Sequence, residues 1–320
     1  MASVARWLGA GLLVLGGLAP RPAVAQAPSP LADRVESHLD VPYAGTDNPR
    51  QALDIFVPTG VAEGAKLPLI AFIHGGGWQG GNKKGSGPVL PLVATGDYVG
   101  ASIGYRLTNE AHWPEQAHDV KAAIRYLRAN AEKYHIDPDR IAVAGGSAGG
   151  HLVAFLGTSG DAKDVEGDLG DADEMSSRVQ AVVNFFGPTD IRVMLRTDQP
   201  GGSKGAESMV RKLIGGPLES HEGEAASASP VTYVDAGDAP TLTVHGDADT
   251  LVPIEHARLL HEALKEAGVE SHLLTVAGGG HGNNFPPAVN DRVKTSLDHH
   301  LRGEAANLPE AETIDAKSAR

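Results

Sequence analysis

Short, mostly continuous apolar runs recur along the chain at Ala52–Val57, Leu69–Ile73, Tyr98–Ile103, Ile141–Ala144, Ala181–Phe186, Thr241–His245 and His272–Val276. A strand covered on both faces reads this way, whereas a half-solvated strand alternates apolar and polar residues. Between the runs lie stretches of helical period. In Glu115–Tyr134, Val120, Ala123, Ile124, Leu127 and Ala131 recur at i, i+3, i+4 spacing and form one core-facing stripe. Ile254–Ala267 repeats the pattern with Ala257, Leu260 and Leu264, and Gly268 stops it. Strands alternating with helices predict βαβ units, and so one doubly wound α/β domain with a mostly parallel sheet and helices on both faces.

Two segments break the rhythm. Gly160–Ser177 is acidic and glycine-rich, and Asp190–Asp238 is long, polar and punctuated by Gly and Pro. A structureless loop of the second kind is uncommon in a compact domain, so small helices over the site are expected there. The acidic loop Asp161–Glu174 lacks the D-x-[DN]-x-[DN]-G spacing of an EF-hand. A solvated loop is expected there rather than a calcium site.

The N-terminus carries Arg6, an apolar run Trp7–Leu18 and the small residues Ala23-Val24-Ala25. The run is about 12 residues, too short to span a bilayer as a helix. The pattern is that of a cleavable signal peptide over residues 1–25, cut after Ala25, which implies a secreted or periplasmic protein without stable membrane insertion. Residues 26–40 are expected to be a linker, 41–304 the domain, and 305–320 a polar C-terminal tail. With no cysteine there is neither a disulfide framework nor a thiolate metal site. A formal charge of −13 argues against nucleic acid, which requires clustered Lys and Arg. Oligomeric state is left open.

Gly145-Gly146-Ser147-Ala148-Gly149 follows the strand Ile141–Ala144 and precedes a helical segment, His151–Leu156. A G-x-S-x-G turn of this kind is strained, needs small neighbours on both sides, and pushes the serine oxygen out beyond the strand end. No lysine follows the glycines as it does in a phosphate-binding loop. Ser147 is therefore the expected nucleophile. Upstream, the strand Leu69–Ile73 runs into His74-Gly75-Gly76-Gly77-Trp78, an oxyanion loop of the HGGG type whose second donor comes from the residue after the nucleophile, Ala148. An acid and a base are expected later, in that order. The loop after Thr241–His245 offers Asp247 and Asp249, with Asp249 farther past the strand end. The loop after His272–Val276 offers His281 between glycines. Asp249 is assigned as orienter and His281 as general base.

The other histidines read as structural. His74 and His245 are expected to shape strand ends through hydrogen bonds. His118, His256 and His261 fall on helices at the surface or the core edge. His299-His300 has no H-E-x-x-H motif or carboxylate cluster beside it in sequence, so no metal or other cofactor is expected.

Together, HGGGW, Tyr105-Arg106-Leu107, GGSAGG, Phe185–Asp190 (FFGPTD), HGDADTLVP and GGGHG resemble the α/β-hydrolase esterase/lipase group. The likeness is greatest to secreted bacterial enzymes related to feruloyl and acetylxylan esterases, and the hormone-sensitive-lipase-like esterases share some of the motifs. It covers roughly Val41 to Leu301, with the motifs in family order. The elbow departs in opening Gly-Gly-Ser, where lipase-like members often have Gly-Asp-Ser. The resemblance implies that Gly76, Gly77 and Ala148 supply the oxyanion amides, and it favours Asp249 over Asp247 as the acid. It further implies a small or minimal cap, because Phe186 to Thr241 is too short for a separate lid domain.

The expected activity is hydrolysis of short-chain acyl, acetyl or feruloyl esters, on a small-molecule or polysaccharide-linked substrate. An amidase, formamidase or peptidase of the same fold would use the same residues. A non-catalytic binding module on this fold would usually have lost one of Ser147, Asp249 and His281.

Overall fold

A computed structural model describes residues 32–85, 89–160, 162–194, 204–282 and 285–316. Residues 1–25, expected to be a signal peptide, and the first residues of the expected linker lie outside them. Strands β1 (Val35–Pro42), β2 (Ala52–Pro58), β3 (Leu67–Ile73), β4 (Val99–Ile103), β5 (Ile136–Gly146), β6 (Ala181–Phe185), β7 (Thr241–Gly246), β8 (Ser271–Ala277) and β9 (Ala311–Asp315) form one sheet in the order β1-β2-β4-β3-β5-β6-β7-β8-β9. From β4 to β9 every pairing is parallel, while β2 runs antiparallel to both β1 and β4.

Successive residues of the central strands point to opposite faces, and both faces are covered. Leu69, Ala71 and Ile73 of β3 and Ile141 and Val143 of β5 face one cluster. That cluster includes Val120, Ile124 and Leu127 of α2 (Glu115–Ala129) and Leu152, Val153 and Phe155 of α3 (Ala148–Thr158). Ile70, Ala142, Ala144 and Val183 face the other. There α1 (Val89–Val93) and α8 (Ala288–Arg302) supply Val89, Val93, Val289, Val293 and Leu297. Burial on both sides is why these strands show continuous apolar runs.

Two expectations about the ends are corrected. The linker was expected to extend to residue 40, but β1 begins at Val35. Within 305–320, read as a polar tail, Ala311–Asp315 pairs with β8 as β9. Both are edge strands with largely exposed, polar sequences, VESHLDVP and AETID. An edge strand is paired on one side only, and these two are largely exposed, so their sequences carry no apolar run.

The long segment after β6 folds into small helices as expected: α4 (Ile191–Met194), α5 (Lys204–Ile214), α6 (Glu222–Ser227) and short 3-10 turns at Leu218–Ser220 and Pro230–Thr232. After them, α7 (Glu255–Glu266) packs Leu260 and Leu264 against Ala154 of α3. The acidic loop is not simply solvated. Its Glu166 accepts hydrogen bonds from buried Lys121 and Arg125 of α2, at 2.9 and 2.6 Å.

Candidate active site

The parallel strands all point their C-terminal ends one way, and the chemistry-bearing residues gather there. Ser147 sits between β5 and α3 with φ 56° and ψ −122°, a backbone region costly for any residue with a side chain. The turn persists because its neighbours fix it. The Ser147 amide donates to the Phe185 carbonyl at 2.9 Å, and the Ser147 carbonyl accepts from the His151 amide at 2.9 Å. A Cβ on Gly149 would lie 2.0 Å from the Ile73 carbonyl oxygen, so the glycine two residues after the serine is a requirement of packing against β3.

The loop after β8 carries His281, whose Nε2 is 2.9 Å from Ser147 Oγ. On the other side of the ring, Nδ1 is 2.7 Å from Asp249 Oδ2. The second carboxylate oxygen, Oδ1, accepts the amides of Leu251 and Val252, each at 2.9 Å. Burial by itself pushes the Asp249 carboxyl up. Hydrogen bonds from His245, His281 and Val252 outweigh it and hold the group well below the usual carboxylate range. Asp249 therefore faces the imidazole as a carboxylate.

Asp247 does a different job. It is exposed, and its Oδ1 accepts the Gly278 amide at 2.7 Å, while the Ala248 amide donates to the Gly279 carbonyl at 2.9 Å. These bonds tie the loop carrying Asp249 to the loop carrying His281. His245, expected to shape a strand end, has Nε2 2.8 Å from the Val252 carbonyl and 3.5 Å from Asp249 Oδ2.

Beside Ser147, the loop after β3 bends through Gly76 at φ 120° and Gly77 at φ 58°. Among the described residues, the amides of Gly76, Gly77 and Ala148 have no protein acceptor. Ala148 is the first residue of α3, where an unsatisfied N–H and the helix dipole favour negative charge. His74 shapes this loop as expected. Its ring stacks on Tyr105 with centroids 4.4 Å apart, and its carbonyl accepts the Tyr105 hydroxyl at 3.0 Å.

Three side chains at the site were not singled out from sequence. Phe186 packs edge-on against His281 with ring centroids 4.8 Å apart, and Phe285 packs on Phe186 in turn. Met209 of α5 closes over Gly77, where an added Cβ would meet its sulfur at 2.2 Å. On the neighbouring face of α5, His112, Glu207, Ser208, Arg211 and Lys212 line an open groove of about 520 Å³. Only the double phenylalanine carried a local signal. The other contacts are made between segments distant in sequence. Among the described residues, the one cluster with metal-ligand geometry, Glu270, His272 and His300, does not adjoin Ser147.

The BD-FAE family model matches residues 53–264, well over half of the chain. The chain belongs to the BD-FAE family. Its likeness to solved esterases extends to the whole fold. A carbohydrate esterase from gut microbiota, in truncated form, is 34% identical with a TM-score of 0.69, covering 78% of this chain and 90% of that one. The propionate-bound esterase 2 of Thermogutta terrifontis is 28% identical with a TM-score of 0.63, covering 85% and 93% respectively. Among curated relatives, esterase LipC of Mycobacterium tuberculosis is 33% identical over 242 residues, which is 74% of this chain and 58% of LipC. The chain spans about half the length of the curated relatives it matches. Its architecture is that of the α/β-hydrolase esterases.

Proposed function

We propose that this BD-FAE family member is a carboxylic-ester hydrolase that works through an acyl-enzyme on Ser147. The observation that carries the reading is the unbroken relay from Asp249 through His281 to Ser147, at 2.7 and 2.9 Å. His281 Nε2 takes the Ser147 proton as Oγ attacks the ester carbonyl, and Asp249 holds the ring and steadies the imidazolium that forms. The carbonyl oxygen, now negative, is received by the free amides of Gly76, Gly77 and Ala148. His281 then gives its proton to the leaving alcohol. Water enters, loses a proton to His281, and displaces the acyl group as a carboxylic acid by the same route. None of these steps draws on a cofactor.

The proposed substrates are esters of short or aromatic acids, including those carried on polysaccharides. Two features support this. The apolar side chains around the relay, Phe186, Phe285 and Met209, suit a small or flat acyl group. The groove along α5 carries the polar groups of His112, Glu207, Ser208, Arg211 and Lys212, which offer hydrogen bonds to a hydroxyl-rich alcohol. Relatives described as a carbohydrate esterase and as a propionate-bound esterase point the same way. Export by a signal peptide remains our proposal from the N-terminal pattern.

A panel of p-nitrophenyl acetate to octanoate, methyl ferulate, acetylated xylan and N-formylkynurenine tests the reading. Turnover is expected for the short and aromatic esters and for the xylan. Activity confined to the formamide, or persisting in Ser147→Ala, contradicts it.

A further inference from the structure

At the end of β8 opposite the Ser147 site, three side chains converge from two segments about thirty residues apart. Glu270 precedes β8, His272 is its second residue, and His300 lies in the last turns of α8. Their ligand atoms all lie within 4.8 Å of one another. Glu270 Oε1 is 2.8 Å from His272 Nε2 and 3.9 Å from His300 Nε2.

The second nitrogen of His272 decides how this cluster is to be understood. Nδ1 is 3.0 Å from the Pro309 carbonyl. A carbonyl only accepts, so Nδ1 carries a proton. In a neutral ring, Nε2 then presents a bare lone pair to a carboxylate oxygen 2.8 Å away. Two acceptors at that distance repel unless a positive centre lies at the lone pair. A second ring proton supplies one, and a metal ion supplies another. Anchoring one ring N–H on a backbone carbonyl while the other nitrogen faces an acidic ligand is how metal-binding histidines are commonly held.

The remaining geometry favours the ion. The His300 Nε2 stands on the same Glu270 oxygen, which a simple His272–Glu270 pair does not require. Ligands about 2.0–2.1 Å from a tetrahedral zinc lie roughly 3.3 Å from each other, between the two separations given above. Both histidine side chains are 9% exposed and Glu270 is 47% exposed, so the cluster is walled by imidazole and open to solvent on one side. Two imidazoles and a carboxylate with room for water suit Zn²⁺.

We infer that Glu270, His272 and His300 bind one Zn²⁺ ion, with water completing its shell. The site joins the start of β8 to α8 and, through Pro309, to the segment that leads into β9. It is structural, since it sits at the far end of β8 from His281. Local sequence around His299-His300 shows no metal-binding motif because Glu270 arrives through the fold.

Tag-free, chelator-treated protein titrated with Zn²⁺ in a calorimeter tests the inference. One ion per chain is expected, with a rise in Tm and a tetrahedral Co²⁺ spectrum when cobalt replaces zinc. Glu270→Gln should weaken binding more than about tenfold, and the double variant His272→Gln/His300→Gln should abolish it. Turnover of p-nitrophenyl acetate by the zinc-free protein should be unchanged at low temperature. Absence of binding in the native chain overturns the inference and leaves an imidazolium–carboxylate pair. Unaltered affinity in Glu270→Gln, which is exposed enough to fold whatever the fate of the double variant, overturns it as well.

Discussion

Trp78 donates its indole N–H to Nδ1 of His151 at 3.2 Å, where both side chains are buried. Nε2 of the same imidazole is 2.6 Å from the Ala228 carbonyl, so the ring is neutral and fixed in one tautomer. This single side chain joins the loop of Gly76 and Gly77, the helix that follows Ser147 and the small helices above the site.

Acid should therefore weaken the fold before it protonates the carboxylates. Burial holds His151 down at about 4, and burial aided by His245 holds His256 down at about 4 as well. Unfolded, both rings titrate near 6.5. Between those values the unfolded chain binds more protons, so stability is full above about pH 6.5 and falls as pH drops toward 4. Each ring contributes a slope of about 1.4 kcal/mol per pH unit. Urea denaturation from pH 7 to 4.5 should show this fall, and His151→Gln should show a shallower slope. A flat profile contradicts the assignment.

The two glycines of the proposed oxyanion loop should differ in their tolerance of a methyl group. At Gly76, with φ 120°, a Cβ would lie 2.4 Å from the backbone oxygen of Gly80, which cannot move aside. At Gly77, with φ 58°, it would meet the flexible end of Met209. Gly76→Ala should lower kcat about 10²–10³-fold, as loss of an oxyanion donor does. Gly77→Ala should cost less, and Met209→Ala should restore part of it. Equal losses without rescue would mean that Met209 does not press on this loop.

The acidic loop should matter for stability rather than turnover. Lys121 is fully buried, and its only carboxylate partner among the described residues is Glu166. Glu166→Ala would strand that ammonium, at a cost of about 3–5 kcal/mol. The Ser159 carbonyl, 2.8 Å from Lys121 Nζ, places the effect toward the lower end. Thermal melting and kcat measured together check this: Tm should fall with kcat unchanged. A lowered kcat at unchanged Tm would assign the loop to the site instead.

What was legible in the sequence follows from what is local. The central strands announced themselves because burial on both faces demands unbroken apolar runs, whereas β1 and β9, exposed at the sheet edges, could not. The turn at Ser147 and the loop at Gly76 and Gly77 were legible because close approach of backbones confines several adjacent positions to glycine or alanine. Asp249 and His281 stood out as loop residues past strand ends. The contacts of Phe186, Met209 and His151 depend on which loops meet in space, as does the company of Glu270 with His300. No spacing along the chain encodes them.

Labelling of Ser147 tests the central claim most directly. The native protein should be treated with a fluorophosphonate at neutral pH, digested, and mapped by mass spectrometry, alongside Ser147→Ala and His281→Ala. A single adduct on Ser147 is predicted, absent from the serine variant and formed far more slowly in the histidine variant, with loss of esterase activity in proportion to labelling. An unlabelled Ser147 in a protein that still hydrolyses p-nitrophenyl acetate, or labelling at the same rate without His281, would contradict the account.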